Sequence, residues 1–448
     1  MFRKKILHFS SLLLALLLTL SLSSCGLLAF GGNNGILGNN GILGNVGNNT
    51  SSSDSAFPEL DLIDYFFEQL SVLDLDRETL VTAVLKAYVE ATGDMYAAYY
   101  TEEELKAMAS DNQGELEGIG VSVVNDVVEL NGQKYSVLTI ISVFNDSPAL
   151  AGGLRIGDRV YAVFDAEGNS HTVEELGYDK AITYVRGVAG TKAHFTVLRD
   201  GADGQYVAHE FEIERKKITT ESVSGRVSEQ DPTIGIVKIS QFDLTTPPQF
   251  KHTMDELIGK GCQKFVFDVR YNPGGDLQSI EAVLSLFLNE GDVMIKTVYK
   301  DGSGETDKVG VKTHDDEAYR TCDVTREDIG KYRNYQFAVL TNEYTASAAE
   351  LFTSNLRDYK LATLVGNTTY GKGCMQTTYD LSYWGVKGGL KLTTAWYLPP
   401  SEQNYHEIGI VPHIEVNMDE SLIEKYGNIY LIPDSEDPQL IAAIQALK

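Results

Sequence analysis

The sequence has few of the residues that build metal sites and disulfide frameworks. Its 448 residues include 4 cysteines and 8 histidines. Neither a Cys-x-x-Cys nor a His-Glu-x-x-His pattern occurs, so structural or catalytic zinc has no support. The cysteines beyond the N-terminus, Cys262, Cys322 and Cys374, are odd in number and widely separated. This spacing argues against a disulfide framework.

Basic residues are also scarce relative to acidic ones. The chain has 37 Lys and Arg against 63 Asp and Glu, which gives a formal net charge of −26. So acidic a surface repels nucleic acid and anionic lipid, and we expect no nucleic-acid partner. With 43% hydrophobic and 22% charged residues, the composition is that of an ordinary globular protein. The length predicts two or three domains with short appendages.

Only one apolar run in the sequence is long enough to suggest an interaction with a membrane. Leu12–Leu22 follows the basic stretch Arg3–Lys5 and precedes Ser23–Cys25. This is the layout of a secretory signal and is too short for a comfortable spanning helix. The ending resembles a bacterial lipoprotein box, in which residues 1–24 are removed and Cys25 is lipidated; a plain signal peptide is the alternative. We therefore expect a lipid anchor on the extracytoplasmic face of a bacterial cell membrane.

Low-complexity sequence follows the predicted lipidation site. Within residues 25–56 the hexad Asn-Asn-Gly-Ile-Leu-Gly occurs at Asn33–Gly38 and again at Asn39–Gly44, and Asn-, Ser- and Thr-rich sequence follows. Such sequence cannot bury a core, so it predicts a flexible tether.

Residues 57–112 are predicted to form a small helical domain that suits packing or dimerisation. Asp76 can cap a helix over Arg77–Thr92, whose apolar residues recur on one face. Thr101 and Glu104 have the spacing of a capping box at the start of the next helix.

Residues 113–210 alternate short apolar strands with Gly and Asp turns. Gly118-Ile119-Gly120-Val121 leads into a strand, and the segments Ser147–Leu154 and Ile156–Val160 follow. In this order the segments resemble a PDZ domain of bacterial proteases. A glycine-rich loop before an edge strand exposes N–H groups that bind a peptide carboxylate while the peptide adds as a strand. We therefore predict peptide binding at Gly118, Ile119, Gly120 and Val121.

Residues 211–418 show an α/β pattern, and residues 419–448 form a C-terminal helical segment with a helix over Asp437–Leu447. A helix with Thr246 as cap, Pro247 at its first position, Gln249 in a capping box and Gly259 as stop is also predicted. Strands that alternate with helices favour a mostly parallel sheet. The predicted strands are Ile234–Ser240, Lys264–Arg270, Gln336–Thr341 and Leu361–Val365.

Ser347 is a candidate nucleophile because it opens a helix directly after an apolar strand. Backbone N–H groups and the positive end of the helix dipole can stabilise an oxyanion there. Serine also favours helix starts as a cap, so Ser347 alone is weak support for catalysis.

Lys372 is a candidate general base because it lies between Gly371 and Gly373 after the next buried strand. A lysine acts as a base when burial lowers its pKa from about 10.4 toward neutrality; a surface lysine in a glycine turn is the ordinary alternative. No histidine lies close to Ser347 in sequence; His406 and His413 are the first two that follow it, and no local motif supports a Ser-His-Asp triad.

Taken together, these motifs resemble the C-terminal processing peptidases, also called tail-specific proteases. Thr345-Ala346-Ser347-x-x-Glu350 is followed by Gly371-Lys372-Gly373 and then by Gln376. Asp268–Gly275 is similar to the D-L-R-x-N-P-G-G of that family, and Lys391–Ala395 and Gly409–Pro412 also match. The resemblance covers nearly all of the chain after the tether. It implies an α+β multidomain protein with a helical N-terminal domain, a PDZ domain and a crotonase-like α/β protease core.

The resemblance also implies roles for individual residues. Ser347 would be the nucleophile, Lys372 its base, and Gln376 the support of the lysine. Ala348 and Gly274 would donate backbone N–H groups to the oxyanion, although the sequence does not decide between Gly274 and Gly275. No metal or cofactor is required.

The resemblance further implies that an arginine at the end of the PDZ domain, Arg186, contacts the active site; a solvated turn charge is the alternative. Substrates would be proteins with apolar C-terminal tails. Cys374 stands where Thr or Ser is common in the family, either as inert packing or as an oxidisable thiol. His413 replaces a frequent Asp in the closing motif.

Two functions of different classes therefore compete. The first is a serine endopeptidase that trims the C-terminal ends of proteins through a Ser347–Lys372 dyad and an acyl-enzyme. The second is a catalytically silent, membrane-tethered PDZ scaffold that binds exposed C-termini. The sequence favours the peptidase, because nucleophile, base, glutamine and oxyanion glycines are all present.

Overall fold

The computed structural model describes residues 57–448 except 131, 202–204 and 427–428. The predicted signal peptide, Cys25 and the tether lie outside the described residues. The helices are α1 Pro58–Leu70, α2 Arg77–Ala91, α3 Glu102–Asn112, α4 Pro148–Ala151, α5 Val173–Leu176, α6 Tyr178–Val185, α7 Thr246–Gly259, α8 Leu277–Ser285, α9 Ala348–Asp358, α10 Glu420–Tyr426 and α11 Pro438–Ala446.

The strands and these helices together give a mixed α/β fold. They are β1 Ala98–Tyr100, β2 Glu115–Gly118, β3 Val121–Leu130, β4 Gln133–Val143, β5 Arg159–Phe164, β6 Ser170–Thr172, β7 Lys192–Asp200, β8 Tyr206–Glu214, β9 Lys216–Thr219, β10 Val223–Val227, β11 Ile234–Ile239, β12 Lys264–Asp268, β13 Val293–Tyr299, β14 Gly304–Lys308, β15 Gln336–Thr341, β16 Ala362–Gly366, β17 Cys374–Asp380, β18 Gly389–Leu398 and β19 Ile414–Glu415.

The described residues form two compact units. The larger unit contains residues 110–374 and 396–448, and the smaller contains residues 57–109 and 375–395. None of the helices in the described part of the chain is both long and apolar enough to span a bilayer.

In the smaller unit the local helix signals of the sequence are confirmed. The Asp76 side chain accepts a hydrogen bond from the Thr79 N–H at the start of α2. Thr101 and Glu104 exchange the two hydrogen bonds of a capping box, at 2.9 and 3.2 Å, which satisfies N–H groups that the helix itself leaves unpaired. No residue of α1 is buried, although its sequence is rich in Leu, Ile and Phe.

An antiparallel sheet occupies the first part of the larger unit. Its strand order is β3-β4-β5-β7-β8, with β6 added to β5, while β2 and β9 form a separate pair. The core on one face of this sheet includes Leu138, Ile140, Phe195 and Val197, with Val185 of α6 packed against it. Because β3 ends the strand order, one of its edges carries no strand of this sheet.

The second part of the larger unit contains a six-stranded sheet in the order β10-β11-β12-β15-β16-β19. All its pairs are parallel except β10 with β11, which confirms the predicted mostly parallel sheet. Leu440 and Ile444 of α11 pack on one face, against Val266 and Leu340. The other face carries a cluster of aromatic rings, namely Phe250, Phe267, Phe287, Phe337 and Phe352. Helices therefore cover both faces, as a parallel sheet requires.

The predicted strands of this sheet are confirmed with small changes at their ends, but one predicted helix cap is wrong. Thr246 does not cap α7; it is the first helical residue, and its hydroxyl accepts from the Asp243 N–H and donates to Ser222. Gln249 closes no capping box, because its amide donates to the Thr220 carbonyl and the Thr245 hydroxyl. Tertiary partners of the preceding loop have replaced the local cap.

Candidate active site

Ser347 lies at the junction between the loop after β15 and the first turn of α9. Its φ of 55° and ψ of −119° form a sharp turn in a region of backbone space that residues with side chains rarely enter. A non-glycine residue held in such a conformation costs about 1–3 kcal/mol, and such strain is concentrated at functional sites. The residue is only 2% exposed. The turn resembles the strand-to-helix elbow that presents a catalytic serine at the edge of a sheet.

Hydrogen bonds to neighbouring loops hold this strained turn. The Thr345 hydroxyl donates to the Val269 carbonyl at 2.8 Å, and the Ala346 N–H donates to the Asn272 carbonyl at 2.9 Å. The Ser347 N–H donates to the Glu350 carboxylate at 2.9 Å. Ala348, the next residue, is buried and begins α9, so its N–H belongs to the first turn, whose N–H groups have no partner within the helix.

The Gly274–Gly275 pair approaches Ser347 from the loop after β12. A Cβ atom placed on Gly274 would lie 2.6 Å from the Ser347 Cβ and 2.9 Å from the Ala348 nitrogen, so only glycine permits this approach. Gly275 fits closely elsewhere, because a Cβ there would lie 1.9 Å from the Phe242 carbonyl oxygen. The structure therefore brings together Ser347, Ala348 and Gly274, three of the residues predicted from the sequence.

The two glycine N–H groups differ in their partners. The Gly274 N–H donates to the Asn272 side-chain oxygen at 2.8 Å. The Gly275 N–H donates to no other backbone group among the described residues. Gly274 thus shapes the surface beside the nucleophile, and the two N–H groups are not equivalent as donors to an incoming carbonyl.

Lys372 lies in the loop between β16 and β17 and is 4% exposed. This loop packs tightly: a Cβ on Gly371 would meet the backbone nitrogens of Glu407, Ile408 and Gly409 at about 3 Å. The Gly373 N–H donates to His406 Nδ1 at 3.3 Å. The ordinary alternative, a solvated lysine in a surface turn, therefore does not describe this residue.

A buried carboxylate that the sequence analysis gave no role connects the nucleophile to the lysine loop. Glu350 Oε2 accepts from the N–H groups of both Ser347 and Lys372, the latter at 2.7 Å. Its other oxygen accepts from the Gly371 N–H and the Thr369 hydroxyl, at 2.7 and 2.6 Å. Burial raises the pKa of Glu350 to about 7, against the opposing effect of these four donors. The only signal in the sequence was its place in the Ser-x-x-Glu pattern.

Gln376 lies on β17, in the smaller unit. It is buried, and its amide nitrogen donates to the Thr393 hydroxyl at 3.1 Å. Thr393 in turn donates through its hydroxyl and its N–H to the Asp94 carboxylate, at 3.0 and 2.8 Å. The described contacts of Gln376 thus join it to β18 and to the segment before β1.

The predicted peptide-binding residues lie at the start of the edge strand β3. Gly118 ends β2, Ile119 is buried, Gly120 has a φ of 84°, and Val121 begins β3. The Ile119 carbonyl accepts from the Ala149 N–H at 2.8 Å, and that of Gly120 accepts from Phe144 at 3.0 Å. The loop is thereby fixed to the residues at and before α4.

A cavity of about 380 Å³ extends from β3 to the candidate active site. Its walls include Val121–Val123 of β3, Ile182 of α6, Arg186, and the Gly274–Gly275 pair. Arg186 follows α6 directly and lines the cavity together with Asp111. Burial raises the pKa of Asp111, and the positive charge of Arg186 opposes this shift. The cavity does not include Gly118, Ile119 or Gly120.

His406 and His413, the two histidines that follow Ser347 in sequence, both make contacts elsewhere. His413 Nδ1 accepts from the Leu364 N–H at 2.9 Å, and the His406 ring lies edge-on to Trp396 while accepting from Gly373. Cys374 is buried directly after that glycine, and none of the three described cysteines takes part in a disulfide. In the described part of the chain, no group of three or more His, Cys, Asp or Glu side chains is placed to hold a metal ion.

Comparison with known proteins gives a family match over the part of the chain that contains Ser347 and Lys372. Residues 233–416 match peptidase family S41. The chain is 27% identical over 405 residues to the carboxy-terminal processing protease CtpA of Bacillus subtilis strain 168, an alignment that covers 90% of this chain and 76% of that protein.

More distant matches agree. A protein of Staphylococcus aureus strain N315 named “Probable CtpA-like serine protease” is 27% identical over 373 residues. This alignment covers 83% of our chain but only 65% of the staphylococcal protein, so the chain spans about two thirds of that relative. A crystal structure of a protein named “Putative S41 protease” from Bacteroides fragilis NCTC 9343 superposes with a TM-score of 0.53 at 16% identity. It covers 81% of this chain and 89% of the other and supports the shared fold.

Proposed function

Because the chain is a serine-type peptidase of the C-terminal processing family, family S41, we propose that it is an endopeptidase that cleaves proteins near their C-terminal tails with a Ser347–Lys372 dyad. The observation that carries this proposal is the shared carboxylate oxygen of Glu350, to which the N–H groups of both residues donate. A nucleophile and a base must lie within hydrogen-bond reach of each other in the reacting complex, and this anchor brings the two loops to one point.

The proposed reaction is acyl transfer in two steps. Neutral Lys372 accepts the hydroxyl proton as Ser347 Oγ attacks the scissile carbonyl carbon, and the N–H groups of Ala348 and of the Gly274–Gly275 loop stabilise the oxyanion. The carbon–nitrogen bond then breaks, and Lys372 returns the proton to the leaving amine. Water, deprotonated by Lys372, hydrolyses the ester on Ser347 and restores the hydroxyl. Gln376 is proposed to support the lysine, as the family resemblance implies.

We further propose that residues 113–210 act as a PDZ domain that receives apolar substrate tails. β3 is an edge strand of its sheet, so an extended tail can add to it through backbone hydrogen bonds. The cavity between β3 and α6 leads toward Gly274. A tail seated along β3 would therefore place upstream residues of its own chain near the nucleophile.

Two further properties are proposed from the N-terminal part of the chain. Lipidation of Cys25, after removal of residues 1–24, would anchor the protein at the extracytoplasmic face of the membrane. A homodimer through α1 and α2 is supported by exposed apolar side chains, among them Ile63, Phe66 and Phe67, each about half exposed. Such a surface is typical of an interaction site, and a monomeric mass in sedimentation experiments would contradict the dimer.

The peptidase and the silent scaffold are distinguished by cleavage of a reporter peptide with an apolar C-terminal tail. We expect the purified full-length chain to cleave it in the presence of metal chelators. Ser347→Ala and Lys372→Ala should each remove nearly all turnover, and the double variant should be no worse, because the two residues act as one unit. Peptide binding without cleavage by the wild type would favour the scaffold, and full activity in either single variant would exclude the dyad.

A further inference from the structure

We propose that Glu350 is a positioning residue for the reaction, whose ionised carboxylate holds the nucleophile turn and the lysine loop in their reactive arrangement. The proposal rests on the proposed peptidase function and adds a residue to it. Glu350 is fully buried in the first turn of α9. A cap for the helix alone would need a single hydrogen bond at the helix start, and Glu350 accepts four.

The two carboxylate oxygens divide these four donors between the two loops. Oε2 is shared by the N–H groups of Ser347 and Lys372, at 2.9 and 2.7 Å. Oε1 accepts from Gly371 and from the Thr369 hydroxyl, both of the lysine loop. Three of the four donors are backbone groups, so the contacts fix main-chain positions on both sides. A shift of either loop would break hydrogen bonds in a buried site, where unpaired polar groups are costly.

Thr369 extends the support from the carboxylate to a third segment. Its hydroxyl donates to Glu350 and accepts from the Ile410 N–H at 2.7 Å. Its own N–H donates to the Ile410 carbonyl at 3.2 Å. The segment that follows the strand β18 is thus connected to the same carboxylate, which places Glu350 at the centre of the contacts around the lysine loop.

The arrangement requires the ionised form, since all four partners donate. A proton on Oε2 would face two backbone N–H donors, those of Ser347 and Lys372. On Oε1 it would face the Gly371 N–H unless the Thr369 hydroxyl turned to accept it. The other titratable groups nearby are Lys372, His406 beside Gly373, Cys374, and Tyr405, whose pKa is raised well above its usual range first by burial and then by the charge of Glu350. Tyr405 therefore stays neutral at working pH. Burial holds the pKa of Glu350 near 7, within the range where turnover can be measured.

Glu350→Gln is the informative variant because it keeps the shape of the side chain. An amide must turn its NH₂ group toward one pair of donors, and only the Thr369 hydroxyl can rotate to accept from it. The amide should therefore keep the contacts to Ser347 and Lys372 and lose that to Gly371. We expect kcat to fall by about 10- to 100-fold, because small misplacements of reacting groups cost rates of this order. KM should change little, and Glu350→Ala should be worse.

Glu281→Gln is a matched control within the larger unit. Glu281 is also a buried helical glutamate whose pKa burial raises to about 7, but its carboxylate pairs with Lys312 at 2.7 Å. Its replacement should leave kcat within about twofold, since it contacts neither loop. Thermal unfolding and tail-peptide affinity are measured on each variant. A variant that is folded and binds the peptide but has a low kcat has lost the alignment of the reacting groups, not its fold.

The dependence of kcat on pH tests the role of the ionised carboxylate directly, because a residue that only stabilised the fold would not change the shape of this profile. In the wild type, kcat should fall as the pH drops through about 7, as Glu350 becomes protonated. In Glu350→Gln the low-pH limb should change in midpoint or steepness, because the amide does not titrate. Wild-type kcat in folded Glu350→Gln, or a pH profile of unchanged shape, would overturn the proposal. A wild-type protein that cleaves no peptide would instead refute the proposed function itself.

Discussion

Gly274→Ala tests how closely the loop after β12 must approach the nucleophile. The added methyl group would lie 2.6 Å from the Ser347 Cβ, 2.9 Å from the Ala346 carbonyl oxygen and 2.9 Å from the Ala348 nitrogen. Two of these three atoms belong to the backbone and cannot rotate away. The φ of Gly274 is also +106°, a conformation that alanine rarely adopts.

Two costs follow from this geometry. Forcing alanine into a left-handed conformation costs about 1–2 kcal/mol, and overpacking a dense site costs about 1–3 kcal/mol. We therefore expect the free energy of unfolding to fall by about 2–4 kcal/mol, with part of the strain relieved by a shift of the loop. That shift should move the N–H groups of the Gly274–Gly275 loop away from Ser347 and from the Ala348 N–H, the other oxyanion donor. Loss of one such donor costs about 10²- to 10³-fold in kcat.

The assay compares urea unfolding and steady-state cleavage with those of Gly302→Ala. Gly302 has a similar left-handed φ of +82°, but a Cβ there meets no atom within 4 Å. In the control the free energy of unfolding should therefore fall only by the cost of the left-handed conformation, about 1–2 kcal/mol, and kcat should stay normal. If Gly274→Ala cleaves at the wild-type rate, or loses no more stability than Gly302→Ala, the close approach of this loop to Ser347 is not required and the reasoning fails.

Two remaining predictions concern control and anchoring. Arg186→Ala should lower kcat about tenfold or more while a tail peptide still binds with near-normal affinity. The reason is that a residue that does not react can still affect the rate by positioning the reacting groups. Arg155→Ala, at an exposed arginine, is the control. Wild-type turnover would remove Arg186 from the mechanism, and lost binding would reduce it to support of the PDZ fold. Cys25→Ser should release the protein from salt-washed membranes or block its maturation, and unchanged membrane association would contradict lipidation.

The parts of the site that sequence predicted are those that parallel-sheet topology places together. The loops after β12, β15 and β16 leave the same edge of one sheet, so Gly274, Ser347 and Lys372, which the family resemblance grouped, lie on neighbouring loops. In the folded chain Gly274 approaches Ser347 closely and Lys372 is buried. The strands and the glycine turns could be predicted from sequence because each depends mainly on residues that are neighbours in the chain.

The parts that sequence did not predict depend on partners far apart in the chain. Glu350 has the spacing of an ordinary capping residue, and only the folded chain shows that its carboxylate also serves a loop about twenty residues later. Thr246 failed as a predicted cap for the same reason, since Ser222 and Asp243 take its hydroxyl. When a polar side chain has several potential hydrogen-bond partners, the tertiary structure determines which of them it binds, and local sequence patterns do not contain that information.

The loop after β12, which carries Gly274, contains a strained residue that contacts with the serine loop hold in place. Tyr271, on the loop that carries Gly274, has a left-handed φ of 59°, which is costly for an aromatic residue. Its N–H donates to Asn342 of the serine loop, and its ring stacks on Tyr344 of the same loop at 4.9 Å.

The C-terminal helix secures the other side of this strained loop. Arg270, next to Tyr271, pairs with Asp268 and with Asp437, the cap of α11, at 2.7 and 2.9 Å. All three side chains are largely buried, so removing one partner would leave an uncompensated charge. The strained conformation that presents Gly274 to Ser347 is thus supported by a residue almost at the end of the chain. The C-terminal helix therefore takes part in positioning the oxyanion loop although it contributes no reacting group.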